Sequence, residues 1–357
     1  MTAVLDLPTT REEAFRWADM PALQAARALT AQSAAVPDAI LPEAARLVFV
    51  DGSLDTDVSR PGDLAITSEA IASDHPLARY ASGDGHRITL APRTVTTIEI
   101  ARVNAGEDSQ TPLVITLGED AVLTLVESFT GAGWTNTLTR FELGQGARVM
   151  RAVRIVQDAG FVSTRDEVTI AEAASFVSVA LGATAAGTRL DAALTLNGDG
   201  AYAELGGALL TRDEQRQECA VRVRHAKPNG QSHQLWRAVA ADRSTVSLAA
   251  AVEVARDAQK TDGEQSLRGL LLQRTATVNL KPELEIFADD VKCAHGATVG
   301  ELDARALFYM QSRGIPAPRA KALLTRAFVA DALDRIADET VRDVFAADAD
   351  AWLEQTL

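Results

Sequence analysis

Cys293 and His295 are the residues of this chain whose types and spacing best suit metal chemistry. They lie two positions apart in residues 281–300, so a strand running through them would place both side chains on one face. Thiolate and imidazole suit zinc or iron–sulfur species, and two carboxylates, Asp289 and Asp290, lie just upstream. A structural zinc site needs four ligands. The remaining ligands must therefore come from elsewhere in the fold or from another subunit.

The alternative for this pair is purely structural. Cys293 would be a small buried hydrophobe and His295 a hydrogen-bonded residue at the end of a strand. Spacing alone favours this second interpretation, because thiols are often buried without a function.

Other sequence motifs are incomplete. Residues 182–188 have the glycine spacing of a phosphate-binding loop but carry Thr188 where the lysine should be, so we expect no bound nucleotide and no ATP hydrolysis by this chain. His225 and His233 flank a turn-forming segment, and two imidazoles could meet there. A solvated loop is the simpler interpretation, because no Cys or carboxylate lies at ligand spacing.

Composition narrows the function classes. The formal charge of −14 on 357 residues opposes nonspecific binding to nucleic acid or anionic lipid, so we expect neither as a partner. No apolar run approaches the roughly 20 residues that span a bilayer, and the first residues do not resemble a signal peptide. These features predict a cytoplasmic protein in which Cys219 and Cys293 are free thiols.

Residues 1–80 are predicted to form a mainly helical region. Thr10 and Glu13 have the spacing of a capping box, and a second short helix is expected at residues 68–80. Residues 47–50 are typical of a short strand that leads into a turn.

Residues 81–300 are predicted to form a β-solenoid. Similar turn segments recur at Leu117, Leu143, Ile170 and Leu196, at an almost constant step, and each precedes an alternating strand. A long and nearly constant step favours stacked coils. The alternative is an antiparallel sandwich or barrel, whose turns recur more closely, at intervals of about 8–12 residues.

Residues 301–357 are predicted to form a C-terminal helical domain. Apolar stripes indicate helices at about residues 302–312, 318–336 and 338–353. They would either cap the end of the solenoid, which is the favoured interpretation, or present a groove to a partner.

Three segments, residues 258–272, 281–300 and 307–315, closely resemble the SufB/SufD family of iron–sulfur cluster assembly proteins. The clear match covers about residues 220–336. His295 is followed by Gly296, as in SufD-type sequences, whereas SufB-type sequences carry Glu at that position. The chain is also short for SufB and lacks its additional cysteines. The serine that often separates the Cys and His is Ala294 here.

The resemblance implies a mainly β fold, a right-handed parallel β-helix with N-terminal and C-terminal helical regions. It also implies a noncatalytic scaffold subunit that pairs with SufB and docks the ATPase SufC. A transient iron–sulfur cluster would form at the SufB/SufD interface, with His295 and Cys293 as its candidate ligands on this chain. A reduced flavin is associated with such complexes, and a homodimer is possible in isolation. The predicted SufC-binding residues are Leu307, Phe308, Arg313, Leu323 and Phe328.

A rival from another class is a carbohydrate-active β-helix enzyme, a polysaccharide lyase or hydrolase that uses paired carboxylates on an exposed face. It would require a carboxylate-lined or basic groove and a secretion signal.

Overall fold

Short alternating strands build most of this chain, and a computed structural model describes residues 5–30 and 34–357. The α-helices are α1 (Met20–Ala26), α2 (Ala304–Ser312), α3 (Ala317–Leu333) and α4 (Glu339–Thr356). The strands are β1 (Ala45–Val50), β2 (Ser53–Leu54), β3 (Ala65–Ile71), β4 (Gly83–Leu90), β5 (Val95–Leu117), β6 (Val122–Leu143), β7 (Arg148–Ile155), β8 (Ala159–Ile170), β9 (Ser175–Ala183), β10 (Gly187–Leu196), β11 (Tyr202–Thr211), β12 (Arg216–His225), β13 (Gln231–Ala240), β14 (Thr245–Val254), β15 (Asp262–Leu271), β16 (Thr277–Ile286) and β17 (Lys292–Glu301).

The strands stack into two walls of a parallel β-helix. Wall A contains β1, the first halves of β5 and β6, and then β7, β9, β11, β13, β15 and β17. Wall B contains β4, the second halves of β5 and β6, and then β8, β10, β12, β14 and β16. Only β1 with β2 and β3 with β4 are paired antiparallel among the named strands of the described chain. The predicted fold class is therefore confirmed, and the antiparallel alternative is wrong.

The sequence repeat corresponds to one coil. Its four marker residues are neighbours in wall B, where Leu117 pairs with Leu143, Leu143 with Ile170, and Ile170 with Leu196. The same column continues through His225, Val254 and Ile286, and the step between its members is longer there. Longer turns in the later coils explain why the repeat is difficult to follow in the sequence beyond Cys219.

In one turn, the residue at the equivalent position of successive coils has a left-handed backbone conformation. Asp120, Ala173, Asn229 and Lys260 all have φ between 55° and 62°, and Gly146 and Gly200 have φ of 66° and 64°. Their backbone N–H groups donate to the turn of the next coil, as in Asp120 to Gln145 and Ala173 to Asp199. These turns fasten the coils together outside the two walls.

Most of the N-terminal region is not helical, contrary to the prediction for residues 1–80. In its described part, the only helical segments are α1 and the single turns Glu13–Phe15 and Ala78–Ala81. In place of the helix predicted at residues 68–80, the structure has the end of β3, a bend and the start of the single turn Ala78–Ala81. Pairing across the fold overrides local helix preference here, because β3 pairs with β4. The predictions for residues 1–4 and 31–33 lie outside the described residues.

The N-terminal segment covers the outer face of wall B. Phe15 and Leu23 pack against Trp134 and Phe161. The Thr10–Glu13 capping box is absent from the hydrogen bonds seen there, and the backbone of Thr9 instead donates to the Glu12 carboxylate at 2.9 Å.

The C-terminal helices form close to their predicted positions, but they do not cap the solenoid. Val329 and Leu333 of α3 pack against the outward-facing Val179 and Leu210 of wall A. The expectation of an end cap is wrong because the outer face of wall A is itself apolar and is buried by α3 and α4. Ion pairs fix this arrangement, since Arg154 binds Asp348 and Arg237 binds Asp331.

The change from strands to helices lies between Glu301 and Ala304, beside the proposed domain boundary at 300. The division into three domains stays a prediction. Across the described residues, the helices are all too short or too polar to cross a membrane.

Candidate functional site

The last coil leaves one end of the solenoid open. Strands β16 and β17 each pair with an earlier strand of their wall, and no pairing of their outer edges is found within residues 5–30 and 34–357. Apolar side chains remain partly exposed at this end, with 41% of Ile286, 55% of Phe287 and 45% of Val299 accessible to solvent. An end that combines free backbone groups with exposed apolar core is suited to pairing with another chain.

Cys293 lies on the interior side of β17 at this open end. It is half-buried and contacts the main apolar core, and its ladder neighbour in β15 is Gly263. Burial raises the pKa of the Cys293 thiol, although the backbone N–H of Gly263 acts in the opposite direction. The free thiol is therefore protonated at neutral pH and must lose its proton before it can bind a metal.

His295 lies on the same face of β17, as the alternation predicts. Its side chain is exposed, and its ladder neighbour is the buried Gln265 of β15. Two positions along a strand separate the Cys293 and His295 backbones by about 6.6 Å. At this separation both side chains can approach one metal centre placed over the open end.

The acidic pair belongs to the last turn of the solenoid. The Asp290 carboxylate is held by the ammonium of Lys260, and its backbone N–H donates to Gln259 Oε1 at 3.0 Å. Asp289 is exposed on the same turn. Within the described residues, no group of three or more His, Cys, Asp or Glu side chains is placed to hold a metal ion. Cys293 and His295 are therefore too few to make a complete metal site among the described residues.

The other cysteine and the two histidines that flank the turn lie on other strands than this pair. Cys219 is buried inside the solenoid, where burial raises its pKa well above the ordinary value. His225 is also buried, with Nε2 at 2.8 Å from Ser232 Oγ. His233 lies on the outer face with Nδ1 3.6 Å from the Glu264 carboxylate. The two imidazoles flanking the turn therefore do not converge on a common site.

The predicted SufC-binding residues occupy two different environments. None of the side chains of α2 is buried, and Phe308 and Tyr309 are 72% and 59% exposed. Leu323 on α3 is also exposed, and Arg313 lies 5.2 Å from the centre of the Tyr309 ring. Leu307 is half-buried. Phe328 instead packs under α3 against wall A, 5.9 Å from the Arg237 guanidinium.

Comparison with known proteins identifies the family. Residues 101–328 match the family described as "SUF system FeS cluster assembly, SufBD core domain". This match includes β17 and α2 and ends within α3. The chain belongs to the SufBD family. It is of the SufD type and takes part in SUF-system iron–sulfur cluster assembly.

Individual relatives agree with this assignment. The iron–sulfur cluster assembly protein SufD of Escherichia coli (strain K12) is 26% identical over 367 residues, which cover 94% of this chain and 87% of that protein. An iron–sulfur cluster assembly SufBD family protein of Synechocystis sp. is 27% identical over 385 residues, 93% of this chain and 84% of that protein. The chloroplastic protein ABCI7 of Arabidopsis thaliana is 41% identical over 117 residues, 32% of this chain and 25% of that protein.

Family membership sets aside the carbohydrate-active alternative for this SufD-type chain. It also makes the side chains of Cys293 and His295 relevant, because cluster assembly uses iron and sulfide, and thiolate and imidazole are suitable ligands for iron.

Sequence reasoning missed several residues of the open end. The sequence does not predict that Ile286, Phe287 and Val299 are exposed, because an apolar residue in or beside a strand normally indicates a buried core. Their exposure becomes apparent only when the last coil is seen to lack a neighbour. Gln265 was missed for a different reason: its position beside His295 depends on the length of the intervening coil.

Proposed function

We propose that this SufD-type protein is a noncatalytic scaffold subunit on which an iron–sulfur cluster is assembled. Its open solenoid end pairs with a SufB-type protein, the nascent cluster lies between the two chains, and α2 with the exposed part of α3 docks a SufC-type ATPase. ATP hydrolysis belongs to that partner. The setting is the cytoplasm.

The open end is the observation that carries this proposal. A second β-helix of similar cross-section can continue both walls there, satisfy the free edges of β16 and β17, and cover Ile286, Phe287 and Val299. In the absence of that partner, the same surface would allow a second copy of this chain to pair and form a homodimer.

The position of Cys293 and His295 supports a cluster site at the same junction. His295 is exposed and available, whereas the Cys293 thiol must release a proton when it binds iron, because burial raises its pKa. The two side chains supply at most part of the ligands, and the partner supplies the rest. The cluster is cargo that is later passed on, for which a shared and incomplete site is suitable. We assign no residue of this chain to the reduced flavin.

The exposed aromatic surface of α2 supports the docking of a further protein. Phe308 and Tyr309 face solvent on a helix that buries none of its own side chains, and large exposed aromatic residues are typical of binding hot spots. Phe328 contributes by holding α3 against wall A rather than by direct contact.

The central experiment is anaerobic co-purification with SufB-type and SufC-type partners, followed by iron and sulfide analysis. His295→Ala should fold, retain both partners and yield markedly less cluster than wild type. Cys293→Ser is compared in parallel. Full cluster yield from the His295→Ala complex would contradict the ligand assignment.

Single charged substitutions can test the two partner-binding surfaces separately. Val299→Lys places a charge on the open end and should abolish pairing with the SufB-type protein, because an unpaired charge would be buried in the junction. Val95→Lys is the matched control, since Val95 is 80% exposed in β5, several coils away. Equal loss of pairing in both variants would contradict the assignment of this surface.

The ATPase dock is tested in the same assay. Phe308→Asp should abolish binding of the SufC-type protein while pairing with the SufB-type protein persists, and Val299→Lys should do the reverse. Retention of the ATPase by Phe308→Asp would exclude α2 as the dock.

A further inference from the structure

We propose that Gln265 is a positioning residue for His295. Its side-chain carbonyl oxygen accepts a hydrogen bond from one ring N–H of His295, which leaves the other ring nitrogen unprotonated and directed away from the solenoid. The role in cluster binding rests on the proposed function, but the hydrogen bond itself does not.

The register of wall A makes the two residues neighbours. Gln234 of β13 pairs with Gln265 of β15, and Gln265 pairs with His295 of β17. Neighbouring strands are about 4.8 Å apart, and paired residues point to the same face. His295 is therefore the next step of an interior column that contains two glutamines.

The orientation of the Gln265 amide is determined by its partners. Its Nε2 donates to the backbone carbonyls of Ala250 at 3.0 Å and Glu283 at 3.3 Å, both in wall B. Two carbonyl oxygens can only accept hydrogen bonds, so the NH₂ group must lie on that side of the amide. Oε1 is consequently the atom left available to a donor.

That oxygen has no hydrogen-bond partner within the described chain, and Gln265 is only 1% exposed. A buried carbonyl without a donor is unfavourable by about 1–3 kcal/mol. The imidazole of His295 carries an N–H, lies on the adjacent strand and is not held by another side chain in the hydrogen bonds observed among the described residues. Rotation about its side-chain bonds brings this donor within reach of Oε1.

The chemical consequence is a single imidazole tautomer. When one ring nitrogen donates to a fixed acceptor, the proton stays on that nitrogen and the other presents its lone pair. Metal-binding histidines generally donate their second ring N–H to a carbonyl or carboxylate in this way, which also orients the ring. Gln265 would thus prepare His295 to bind iron before the partner arrives.

Gln234 provides a matched control. It is equally buried, occupies the preceding step of the same column, donates Nε2 to the Ala251 carbonyl at 3.2 Å, and also has an unpaired Oε1. It does not neighbour His295. Replacing either glutamine by methionine removes a similar interior amide, but only Gln265→Met removes the acceptor beside His295.

The experiment measures the ring tautomer of His295 in the full-length, metal-free chain by long-range ¹H–¹⁵N correlation NMR with ¹⁵N-labelled histidine. The chain has five histidines, and His295→Ala assigns the relevant signals. The spectra are recorded at a fixed alkaline pH at which imidazole is neutral, for wild type, Gln265→Met and Gln234→Met. A short histidine peptide under the same conditions gives the unconstrained tautomer ratio.

We expect one His295 tautomer to dominate in wild type and in Gln234→Met, and its ratio to shift severalfold towards the peptide value in Gln265→Met. An unconstrained ratio in wild type, or equal shifts in both methionine variants, would overturn the proposal. If Gln265→Met does not fold, Gln265→Asn withdraws the carbonyl by one methylene and should give the same shift.

Cluster yield distinguishes this inference from the proposed function. If His295→Ala complexes still assemble full cluster while Gln265→Met alters the tautomer, the ligand assignment fails and the hydrogen bond stands. If His295 is a ligand, Gln265→Met should lower cluster yield in the co-purified complex and Gln234→Met should not.

Discussion

Cys293 lies directly beside Gly263 in the last step of wall A, and its Sγ is 3.5 Å from the position that a Cβ on Gly263 would occupy. The sulfur therefore packs over the backbone of Gly263, which has no side chain, at the edge of the core. One side of it is shielded by the preceding coil, and the other faces the open end. This half-shielded position explains why burial raises the pKa of the thiol without making it inaccessible.

The two cysteines should differ sharply in reactivity. Iodoacetamide should alkylate Cys293 but not Cys219 in the folded chain, because Cys219 is only 1% exposed. Because the pKa of Cys293 is raised, its alkylation should be slower at pH 7 than that of an ordinary peptide thiol and should keep rising above pH 9. Peptide mass spectrometry measures both rates, with Cys219→Ala and Cys293→Ser as controls. Equal labelling of both thiols would contradict the described burial.

A second prediction concerns the pH dependence of stability. His225 lies between Leu196 and Val254 in the aliphatic column of wall B, and burial lowers its pKa to about 4. The unfolded chain binds a proton near pH 6.5 and the folded chain does not until about pH 4, so stability falls as the pH drops between these values. By linkage the loss approaches about 3 kcal/mol at pH 4 and below.

His225→Leu should remove this contribution. Urea unfolding at pH 8 and pH 5 should show a smaller difference for the variant than for wild type. The substitution leaves the Ser232 hydroxyl without its imidazole partner, which costs about 1 kcal/mol at both pH values, and Ser232→Ala in the same chain should recover most of it. An unchanged pH slope in His225→Leu would show that other groups control acid stability.

A third prediction tests the repeated turn. Ala173 has φ of 55°, and the equivalent residues of the neighbouring coils, Gly146 and Gly200, are glycines. A left-handed conformation costs a residue with a Cβ about 1–2 kcal/mol, so Ala173→Gly should stabilise the chain by about 0.5–1 kcal/mol after the entropy of glycine is subtracted.

The adjacent residue is the control for this change. Ala174 is fully buried and has no positive φ, so Ala174→Gly should destabilise by about 1 kcal/mol through lost apolar burial and added chain entropy. The urea midpoint should therefore move in opposite directions for the two variants. A shift in the same direction would mean that the turn is not strained at residue 173.

Local pattern and repeat length predicted most of the coil architecture. The spacing of Leu117, Leu143, Ile170 and Leu196 matched the wall B register because each coil must cover the apolar layer of the preceding one. The location of the C-terminal helices was predicted wrongly, as an end cap, although a signal for the correct location was present. In β9, Phe176 points inward while Val179 and Leu181 point outward, and a strand that is apolar on both sides must be covered on both sides.

The candidate site was predicted less completely. That Cys293 and His295 share a face follows from the period of a strand. The strand period does not predict that Gly263 and Gln265 lie beside them. Each of these pairings joins residues that are a whole coil apart, at a point where the coil length has already changed. The sequence places the end of the solenoid near residue 300, but it does not show that the C-terminal helices leave this end uncovered, which is what makes Val299 a surface residue.

The final prediction concerns the charged groups inside the solenoid. Glu127 is fully buried and accepts hydrogen bonds from Arg102 Nη2 at 2.8 Å and Arg151 Nε at 2.5 Å. Burial opposes ionisation, but the two guanidinium groups prevail and hold the pKa of Glu127 below its ordinary value. Arg151 also binds Asp166 at 2.5 Å, whereas Arg102 has Glu127 as its carboxylate partner in the described ion pairs.

Glu127→Gln should therefore destabilise the chain by about 3–5 kcal/mol, because it leaves the buried Arg102 charge without compensation. Glu214→Gln is the control, since its pair with Arg243 is on the surface with both side chains more than 70% exposed, and such pairs contribute about 0–1 kcal/mol. Urea unfolding of both variants gives the comparison. Nearly equal effects would mean that Arg102 finds another partner when Glu127 is lost. Replacing Arg102 by Met in the Glu127→Gln chain tests the same point. Removing the uncompensated charge should restore part of the lost stability.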